Sequence, residues 1–463
     1  MDIEKFASYR PVTNITVLSK LIEIALHDRL SAYLKSNNAI PELQSAFRPN
    51  HSTETALVKI HSDVLGSIDR GKTVCMICLD ISSAFDTVDH KILINELANL
   101  GIGGTALDLL KSYLENRTVR VSANGALSEP IPLKYGIPQG SVLAPTLFSV
   151  YTRTLANLLT SMGVSFHIYA DDTQIYFECD NDDIDGIKAK IQEVFQKVNA
   201  WMSAYQLKLN VNKTKILIFG PKKTASKTRK AFGKISIGQS EISLSESVKN
   251  LGVIFDQELN FQSQISAVIK ACNYALYNLR PIKPFLPFKL FVSIVHQEII
   301  SKIDYCNTLY LQLPKKQLQR LQLVINRCVR LIFGLPRTAH ITEHLKSRLH
   351  WLPIAARIDF KIILLTYKAL NFEEPKYIVE SLLPTRRPPR LKEHKPQGGH
   401  AFIRRSYHHS GPRLYNKVPN KLKTLKTAAF KKGLKTFFYN CAFERKLDSL
   451  LSYYPPANGP HST

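Results

Sequence analysis

Three aspartates in this 463-residue sequence stand where divalent-metal chemistry could use them. Asp80 ends the apolar segment KTVCMICLD, where an isolated anion would be costly to remove from water. Asp171 and Asp172 are adjacent acids between two apolar and aromatic arms, FHIYA and TQIYF. Neighbouring carboxylates repel, so this placement is favourable when a cation lies against them. Phosphoryl transfer with two divalent ions, which activate a hydroxyl and support a leaving phosphate, uses carboxylates of this kind.

The segments that carry these acids are predicted to be strands. Residues 73–80 have the apolar character of a buried strand, and residues 166–177 predict a hairpin whose turn holds the acid pair. A second hairpin is expected around Asn124-Gly125. Helical spacing of apolar residues predicts helices at 12–36, 54–68, 145–160 and 183–205. Helices mixed with antiparallel hairpins over 1–260 indicate an α+β fold rather than repeated βαβ units.

The charge balance indicates a polyanionic partner. There are 62 Lys and Arg against 37 Asp and Glu, a formal net charge of +25 and a pI near 9.6. Such an excess favours nucleic acid first and an anionic membrane surface second. The absence of an apolar run of ~18 residues argues against a membrane-spanning protein. The first residues, MDIEKFASYRPV, lack a signal-peptide layout, so we expect a nuclear or cytoplasmic chain with no membrane partner.

The seven cysteines predict a reducing compartment rather than a disulfide framework, because their number is odd and they are dispersed. Cys75 and Cys78 form a CxxC pattern inside the predicted strand. Residues three apart in a strand point to opposite faces. We therefore expect the pair to pack in the core and not to share a metal ion.

Several segments, in order, resemble the motifs of a reverse transcriptase. LDISSAFDTVDH, YGIPQGSVLAPTLF and IYADDTQIYF resemble motifs A, B and C. QSAFRPNHSTETAL resembles the fingers motif of non-LTR (LINE-type, jockey-like) retrotransposon enzymes, and NVNKTKILIFG and VKNLGVIFDQELNF resemble the palm motifs that follow. The match runs from about residue 9 to 265. Further on, DYCNTLY, LHWLP and GPRLYNKVP resemble the helical region of the same group.

The resemblance implies a right-hand polymerase with fingers and a palm of antiparallel sheet plus helices. It assigns residues 1–260 to fingers and palm, 261–383 to a helical thumb or connection, and 384–463 to a basic C-terminal region. The implied activity is that of an RNA-directed DNA polymerase, a nucleotidyltransferase. Its partners would be an RNA template, a DNA primer or target, and dNTPs, and its cofactors two Mg²⁺ ions, with Mn²⁺ as a substitute.

The resemblance also implies metal-binding and sugar-selecting residues. Asp80, Asp171 and Asp172 match the catalytic, metal-binding aspartates, and the backbone carbonyl of Ile81 would be a further ligand. Phe85 matches the aromatic gate that excludes a ribose 2′-hydroxyl.

Other residues match substrate-binding positions. Gln139 and Gly140 match the loop against the incoming nucleotide and template, and a glycine there permits close backbone approach. Arg48 matches the arginine on the triphosphate, and Tyr169 is expected near the primer end. Lys213 or Lys215 would be the general acid toward pyrophosphate, a choice that the sequence leaves open.

Two further segments bear on what the whole chain does. Fewer than ten residues precede Tyr9, so no apurinic-type endonuclease is expected in front of the polymerase motifs. Residues 381–446 hold about 17 Lys and Arg against two Glu and would bind phosphate backbone or form a solvated tail.

Two hypotheses stay open: an active RNA-directed DNA polymerase, or a catalytically silent nucleic-acid-binding remnant or domesticated protein. The Asp256–Glu258 turn resembles the primer-grip hairpin and is not expected to bind metal.

Overall fold

A computed structural model describes residues 12–123, 125–180, 183–211, 213–220, 222–237, 240–385, 390–393 and 401–443. Its helices are α1 (Val17–Ser36), α2 (Thr53–Asp69), α3 (His90–Asn99), α4 (Gly104–Leu114), α5 (Ala144–Tyr151), α6 (Arg153–Ser161), α7 (Ile184–Ala204), α8 (Lys222–Phe232), α9 (Gln262–Ile282), α10 (Phe288–Val295), α11 (Ser301–Asp304), α12 (Lys315–Phe333), α13 (Ile354–Phe372), α14 (Lys376–Val379), α15 (Tyr407–Asn416), α16 (Asn420–Lys423) and α17 (Thr427–Phe443). Its strands are β1 (Thr73–Leu79), β2 (Ile81–Ser82), β3 (Thr118–Val119), β4 (Ser122–Ala123), β5 (Ala126–Leu127), β6 (Ile131–Pro132), β7 (Ser165–Tyr169), β8 (Asp172–Cys179), β9 (Lys208–Leu209), β10 (Lys215–Phe219), β11 (Lys234–Ile237), β12 (Ser240–Ser243), β13 (Ser247–Asn250) and β14 (Val253–Asp256).

The central element is a four-stranded antiparallel sheet with strand order β10-β1-β8-β7. The strand at 73–80 and the hairpin at 166–177 were both predicted, and both are confirmed. Strand β1 is central and buried along almost its whole length. This burial explains why its sequence is apolar on both faces instead of alternating with polar residues.

Each face of the sheet backs a separate hydrophobic core. Val74 and Met76 lie in a core with α2, β14 and the helices from α9 to α17. Cys75 and Ile77 point the other way, into a core with α3, α5, α6 and α7. Cys78 packs against the first core, so the CxxC residues lie on opposite faces, as predicted, and both are free thiols.

Local capping explains where the helices next to the sheet begin. Ser52 and Thr55 form a reciprocal capping box at the start of α2. Asp89 accepts hydrogen bonds from the backbone N–H groups of Lys91 and Ile92 (2.8 and 3.0 Å) and so begins α3. The predicted helices at 54–68 and 183–205 are confirmed as α2 and α7, and the region after residue 261 is largely helical.

Some predicted boundaries were wrong. The helix predicted at 145–160 is two helices, α5 and α6, separated at Thr152, whose hydroxyl donates to the Phe148 carbonyl (3.0 Å). Helix α1 begins at Val17, not at residue 12, because Thr16 is its N-cap. The segment Asp256–Glu258 does not form the turn of the β13–β14 hairpin, which is Leu251-Gly252. Asp256 instead ends β14, and its carboxylate accepts hydrogen bonds from the backbone N–H groups of residues 258, 260 and 261. Within the described ranges, no helix combines the length and the apolar character needed to cross a bilayer.

Candidate active site

The three aspartates lie at one end of the central sheet. Leu79 pairs with Thr173 in the register of β1 and β8, so the next residues, Asp80 and Asp172, stand beside each other. Tyr169 pairs with Asp172, which leaves Ala170 and Asp171 as a two-residue turn. All three carboxylates are neither buried nor fully exposed. The register therefore places Asp80 next to Asp172, with Asp171 in the adjoining turn.

The turn that carries Asp171 is supported by the segment 43–46. Ala170 has a φ of +58°, in the left-handed region that is unfavourable for a residue with a Cβ. Its N–H donates to the side-chain oxygen of buried Gln44 (3.4 Å), which also accepts from the Ala46 N–H (3.1 Å). Gln44 bridges Ile168 in parallel, so the segment lies directly along β7. This support maintains the strained turn.

Buried polar groups hold that segment against the sheet. The hydroxyl of Ser45 lies 2.8 Å from His167 Nε2 and 2.8 Å from the Tyr377 hydroxyl. The Tyr377 hydroxyl in turn donates to Thr55 (3.0 Å). Burial lowers the pKa of His167 to about 3, so its ring is neutral at physiological pH. The network ties β7, the segment 43–46, α2 and α14 into one unit.

Lys213 is the lysine next to Asp80. Its Nζ lies 3.7 Å from Asp80 Oδ2, and its side chain is 69% exposed. The Asp80 carbonyl accepts from the Asn210 N–H (2.9 Å), and Ile81 pairs with Leu209, so β9 leads the chain past the acid to the lysine. Lys215 pairs with Cys78 in β10 and is also exposed. Of the two candidates that the sequence left open, the structure places Lys213 in ion-pair range of the site.

The loop before α5 is closely packed. Gln139 donates from Nε2 to Asp86 Oδ1 (2.8 Å), and its carbonyl accepts from the Thr13 N–H (2.8 Å). Gly140 has a φ of +104°, and a Cβ built there would lie 3.1 Å from the Thr13 carbonyl oxygen. Both the conformation and the close approach require glycine at this position.

Glu23 of α1 contacts this loop and is a residue that sequence reasoning missed. It is 3% exposed, and its Oε2 accepts from the Ser141 hydroxyl (2.6 Å) and the N–H groups of Val142 and Leu143 (2.7 and 3.4 Å). The Ser141 hydroxyl also lies 2.5 Å from that of Tyr113. A carboxylate on these donors fixes the loop and the start of α5. One feature of the sequence could have indicated the burial of Glu23: it is the single acid inside the apolar run LIEIAL of a predicted helix.

Phe85 and Arg48 occupy well-defined positions. The Phe85 ring stacks on Phe148, with centroids 4.4 Å apart and planes inclined by 20°, and remains partly exposed. The Arg48 guanidinium donates to the carbonyls of Pro41, Glu42 and Gln44 (2.9, 3.4 and 3.1 Å). The arginine thus stabilises its own loop in this conformation, and its contact with a triphosphate stays a prediction.

The carboxylates suit a hard divalent cation by their chemistry. In the described part of the chain, no three His, Cys, Asp or Glu side chains are already grouped tightly enough to hold an ion. Asp80, Asp171 and Asp172 nevertheless supply carboxylate oxygens on adjoining strand ends, and oxygen is the ligand that Mg²⁺ prefers. Binding of a cation by these three side chains stays a prediction.

The sequence model of the family described as reverse transcriptase (RNA-dependent DNA polymerase) matches residues 3–255. This match covers more than half of the chain, which therefore belongs to that family. The antiparallel sheet with its flanking helices is the palm of a right-hand polymerase, the α+β fold class that was predicted.

Curated relatives narrow the comparison to non-LTR elements of the jockey type, as the motifs predicted. The chain is 28% identical over 350 residues to the RNA-directed DNA polymerase from mobile element jockey of Drosophila melanogaster, covering 73% of this chain and 37% of the relative. It is 29% identical over 280 residues to the probable RNA-directed DNA polymerase from transposon BS of the same species, covering 59% and 30%. The chain thus spans about a third of the length of these relatives.

A solved structure of apo telomerase from Candida tropicalis overlaps 77% of this chain and 61% of its own, at 12% identity and a TM-score of 0.37. That likeness is too weak to bear on function.

Proposed function

We propose that this chain is the RNA-directed DNA polymerase region of a jockey-like non-LTR retrotransposon protein. In the reaction, a primer 3′-hydroxyl attacks the α-phosphate of a dNTP paired to an RNA template, and pyrophosphate leaves. The observation that carries the proposal is the register of β1 and β8, which sets Asp80 beside Asp172 with Asp171 in the adjacent turn. We further propose fingers and palm over 1–260, a thumb over 261–383, a basic region beyond, and a nuclear or cytoplasmic location.

Asp80, Asp171, Asp172 and the Ile81 carbonyl would hold the Mg²⁺ ions. When bound, such ions lower the pKa of the primer hydroxyl and offset the charge on the triphosphate. The acids themselves have a positioning task, because the strained turn and the strand end fix where their oxygens can meet. Lys213, exposed and 3.7 Å from Asp80, is suited to deliver a proton to the leaving pyrophosphate.

The remaining residues select and orient the nucleotide. The Phe85 ring, backed by Phe148, presents a flat apolar surface on which a deoxyribose would rest and a 2′-hydroxyl would be excluded. Gln139 is held by Asp86, and Gly140 leaves the loop backbone accessible. The net charge of +25 favours binding of the RNA template and DNA primer.

Primer extension tests the proposal. The purified chain with poly(rA)/oligo(dT), dTTP and Mg²⁺ should extend the primer, and Asp171→Asn should reduce extension to background with unchanged thermal unfolding. Asp185→Asn, a neutralised exposed acid at the start of α7, is the matched control and should extend like the parent. Binding of Mn²⁺, followed by electron paramagnetic resonance, should weaken in Asp171→Asn and not in the control.

Two outcomes would contradict the proposal. Equal extension by Asp171→Asn and the parent would remove the metal role of the carboxylates. A parent chain that binds the duplex but adds no nucleotide would identify a silent nucleic-acid-binding remnant instead.

A further inference from the structure

The chain segment that follows β2 is joined to the loop before α5 by backbone hydrogen bonds. The Gly136 N–H donates to the Val88 carbonyl (2.8 Å), and the Ile137 N–H donates to the Phe85 carbonyl (2.9 Å). The ring Nε2 of His90 lies 2.7 Å from the Gly136 carbonyl oxygen and adds a third link. The two segments are therefore held at a fixed separation.

Asp86 packs directly against this loop through its backbone. Its N–H donates to the Ser83 carbonyl (2.9 Å), which closes a turn after β2. Gly136 has a φ of +84°, and a Cβ built there would lie 2.7 Å from the Asp86 carbonyl oxygen. The close approach requires glycine at position 136. The place of the Asp86 backbone therefore depends on backbone contacts and not on its carboxylate.

The Asp86 carboxylate holds the side chain of Gln139. Gln139 donates from Nε2 to Asp86 Oδ1 (2.8 Å). An ionised carboxylate can only accept hydrogen bonds, whereas an amide has one end that donates and one that accepts. Asp86 therefore selects one of the two orientations of the Gln139 amide, with Nε2 toward the carboxylate and Oε1 turned away from it.

The backbone of Gln139 is fixed by a different contact. Its carbonyl accepts from the Thr13 N–H (2.8 Å), and the neighbouring Gly140 lies close to the Thr13 carbonyl. The side chain of Gln139 is partly exposed, and Asp86 is exposed. Since the backbone is held elsewhere, the hydrogen bond to Asp86 decides how the amide is oriented and does not decide where the loop lies.

We propose that Asp86 is a positioning residue for the incoming nucleotide and that it acts through Gln139. By fixing the amide, it presents Oε1 as an acceptor and removes the cost of ordering this side chain when the nucleotide binds. The inference rests on the proposed polymerase function, in which Gln139 contacts the nucleotide. It gives a task to an acid that lies outside the proposed metal site.

A double-mutant cycle between the two residues tests the proposal. The variants are Asp86→Ala, Gln139→Ala and the two changes combined. Asp180→Ala is the matched control, because it removes another exposed aspartate that accepts from a side chain, that of Lys72 (2.8 Å). Asp86→Asn is the conservative variant, since its amide can accept or donate and so keeps a partner for Gln139 without selecting an orientation.

Each variant is bound to an RNA template whose DNA primer ends in a dideoxynucleotide. The next complementary dNTP then forms a ternary complex that cannot react, and its Kd is read from the stabilisation of the duplex complex against a competitor. In Asp86→Ala we expect the Kd to rise about fivefold, the size of one lost hydrogen bond. Loss of a negative charge would by itself favour an anionic dNTP, so the rise reports the amide.

The other variants should separate orientation from structure. Asp86→Asn should raise the Kd by less than Asp86→Ala, and Asp180→Ala should match the parent. In the Gln139→Ala background, removal of Asp86 should change the Kd by less than about twofold, because no amide is left to orient. With an extendable primer, kcat/KM for the dNTP should follow the same pattern. The unfolding temperature should stay unchanged in all of them.

Several results would overturn the inference. A parent-like Kd in Asp86→Ala would do so, as would an equal rise in the presence and absence of Gln139. A fall in unfolding temperature with weaker binding of the duplex itself would show a merely structural role. If the parent forms the ternary complex but extends no primer, the proposed function fails and the Kd values still decide the inference. If the parent binds no dNTP on the duplex, both fail.

Discussion

The Nζ of Lys213 lies 3.7 Å from Asp80 Oδ2, across the end of the central sheet. The two residues are brought together because the Asn210 N–H donates to the Asp80 carbonyl and the chain then turns into β10. The lysine is well exposed and the aspartate partly exposed, so the pair contributes little to stability. Its role in the chemistry of the site stays a prediction, which variants of the two lysines test.

Lys213→Ala should slow nucleotide addition by about tenfold or more, because a positioned general acid contributes at least that much. The unfolding temperature should not change, since the ion pair is solvated. Lys215→Ala, on the neighbouring exposed position, is the control and should have the smaller effect. Single-turnover primer extension measures both rates. A larger loss in Lys215→Ala would reassign the general acid.

Phe85→Ala should raise the incorporation of ribonucleotides relative to deoxyribonucleotides by about tenfold, because one steric contact in a pocket has that discriminating power. The ratio of kcat/KM for dTTP and UTP measures the effect. Phe285→Ala, which removes an 84% exposed ring elsewhere, should leave the ratio unchanged. An unaltered ratio in Phe85→Ala would exclude the gate role.

Glu23→Ala should destabilise the fold by about 2–4 kcal/mol, because it removes the charged acceptor of the Ser141 hydroxyl and of the Val142 N–H. The Leu143 N–H also donates to Ser141 Oγ (3.2 Å) and keeps that acceptor. Glu23→Gln, which keeps one acceptor oxygen, should cost less. Urea unfolding measures the difference, with Asp28→Ala on the exposed side of the same helix as the control. Equal stability of Glu23→Ala and the parent would mean that the loop finds other partners.

The free energy of unfolding should depend on pH through two buried histidines. Burial lowers the pKa of His61 and of His167 to about 3, below the usual value of 6.5. Between these values the unfolded chain binds more protons, so stability is present above pH 6.5 and is lost as the pH falls. The limiting slope is about 1.4 kcal/mol per pH unit for each histidine.

His61→Leu should flatten this dependence between pH 6.5 and 5 in urea unfolding. Its ring packs edge-on against Phe261 (centroids 5.5 Å apart), so an apolar replacement suits the site. His340→Gln, at an exposed position, should keep the parent slope. Burial raises the pKa of Asp359 to about 7, so this acid makes the free energy of unfolding fall as the pH rises, opposite to the two histidines. The slope of His61→Leu is therefore compared with the slopes of the parent and of His340→Gln, and the slope of the parent is not interpreted by itself. An unchanged slope in His61→Leu would argue against a neutral buried ring.

Local pattern sufficed for the elements that carry Asp80, Asp171 and Asp172. The apolar run before Asp80 and the aromatic arms around the acid pair predict strands from the local sequence alone, without knowledge of tertiary contacts. The resemblance supplied the expectation that the three acids belong to one metal site. The contacts of Glu23 with the loop before α5 and of Tyr305 with Leu251 could not be predicted, since they join segments over a hundred or over fifty residues apart. The break at Thr152 was missed because helical periodicity continues across it.

The two-faced burial of β1 has a consequence for anyone who wishes to shorten this protein. The core on one side of the sheet holds Val74 together with Phe430, Leu434 and Phe438 from α17. A fragment that stops near residue 260 or 383 would lack α17 and would expose the apolar side chains of this core that α17 covers. We therefore expect the smallest fragment that folds stably to include α17.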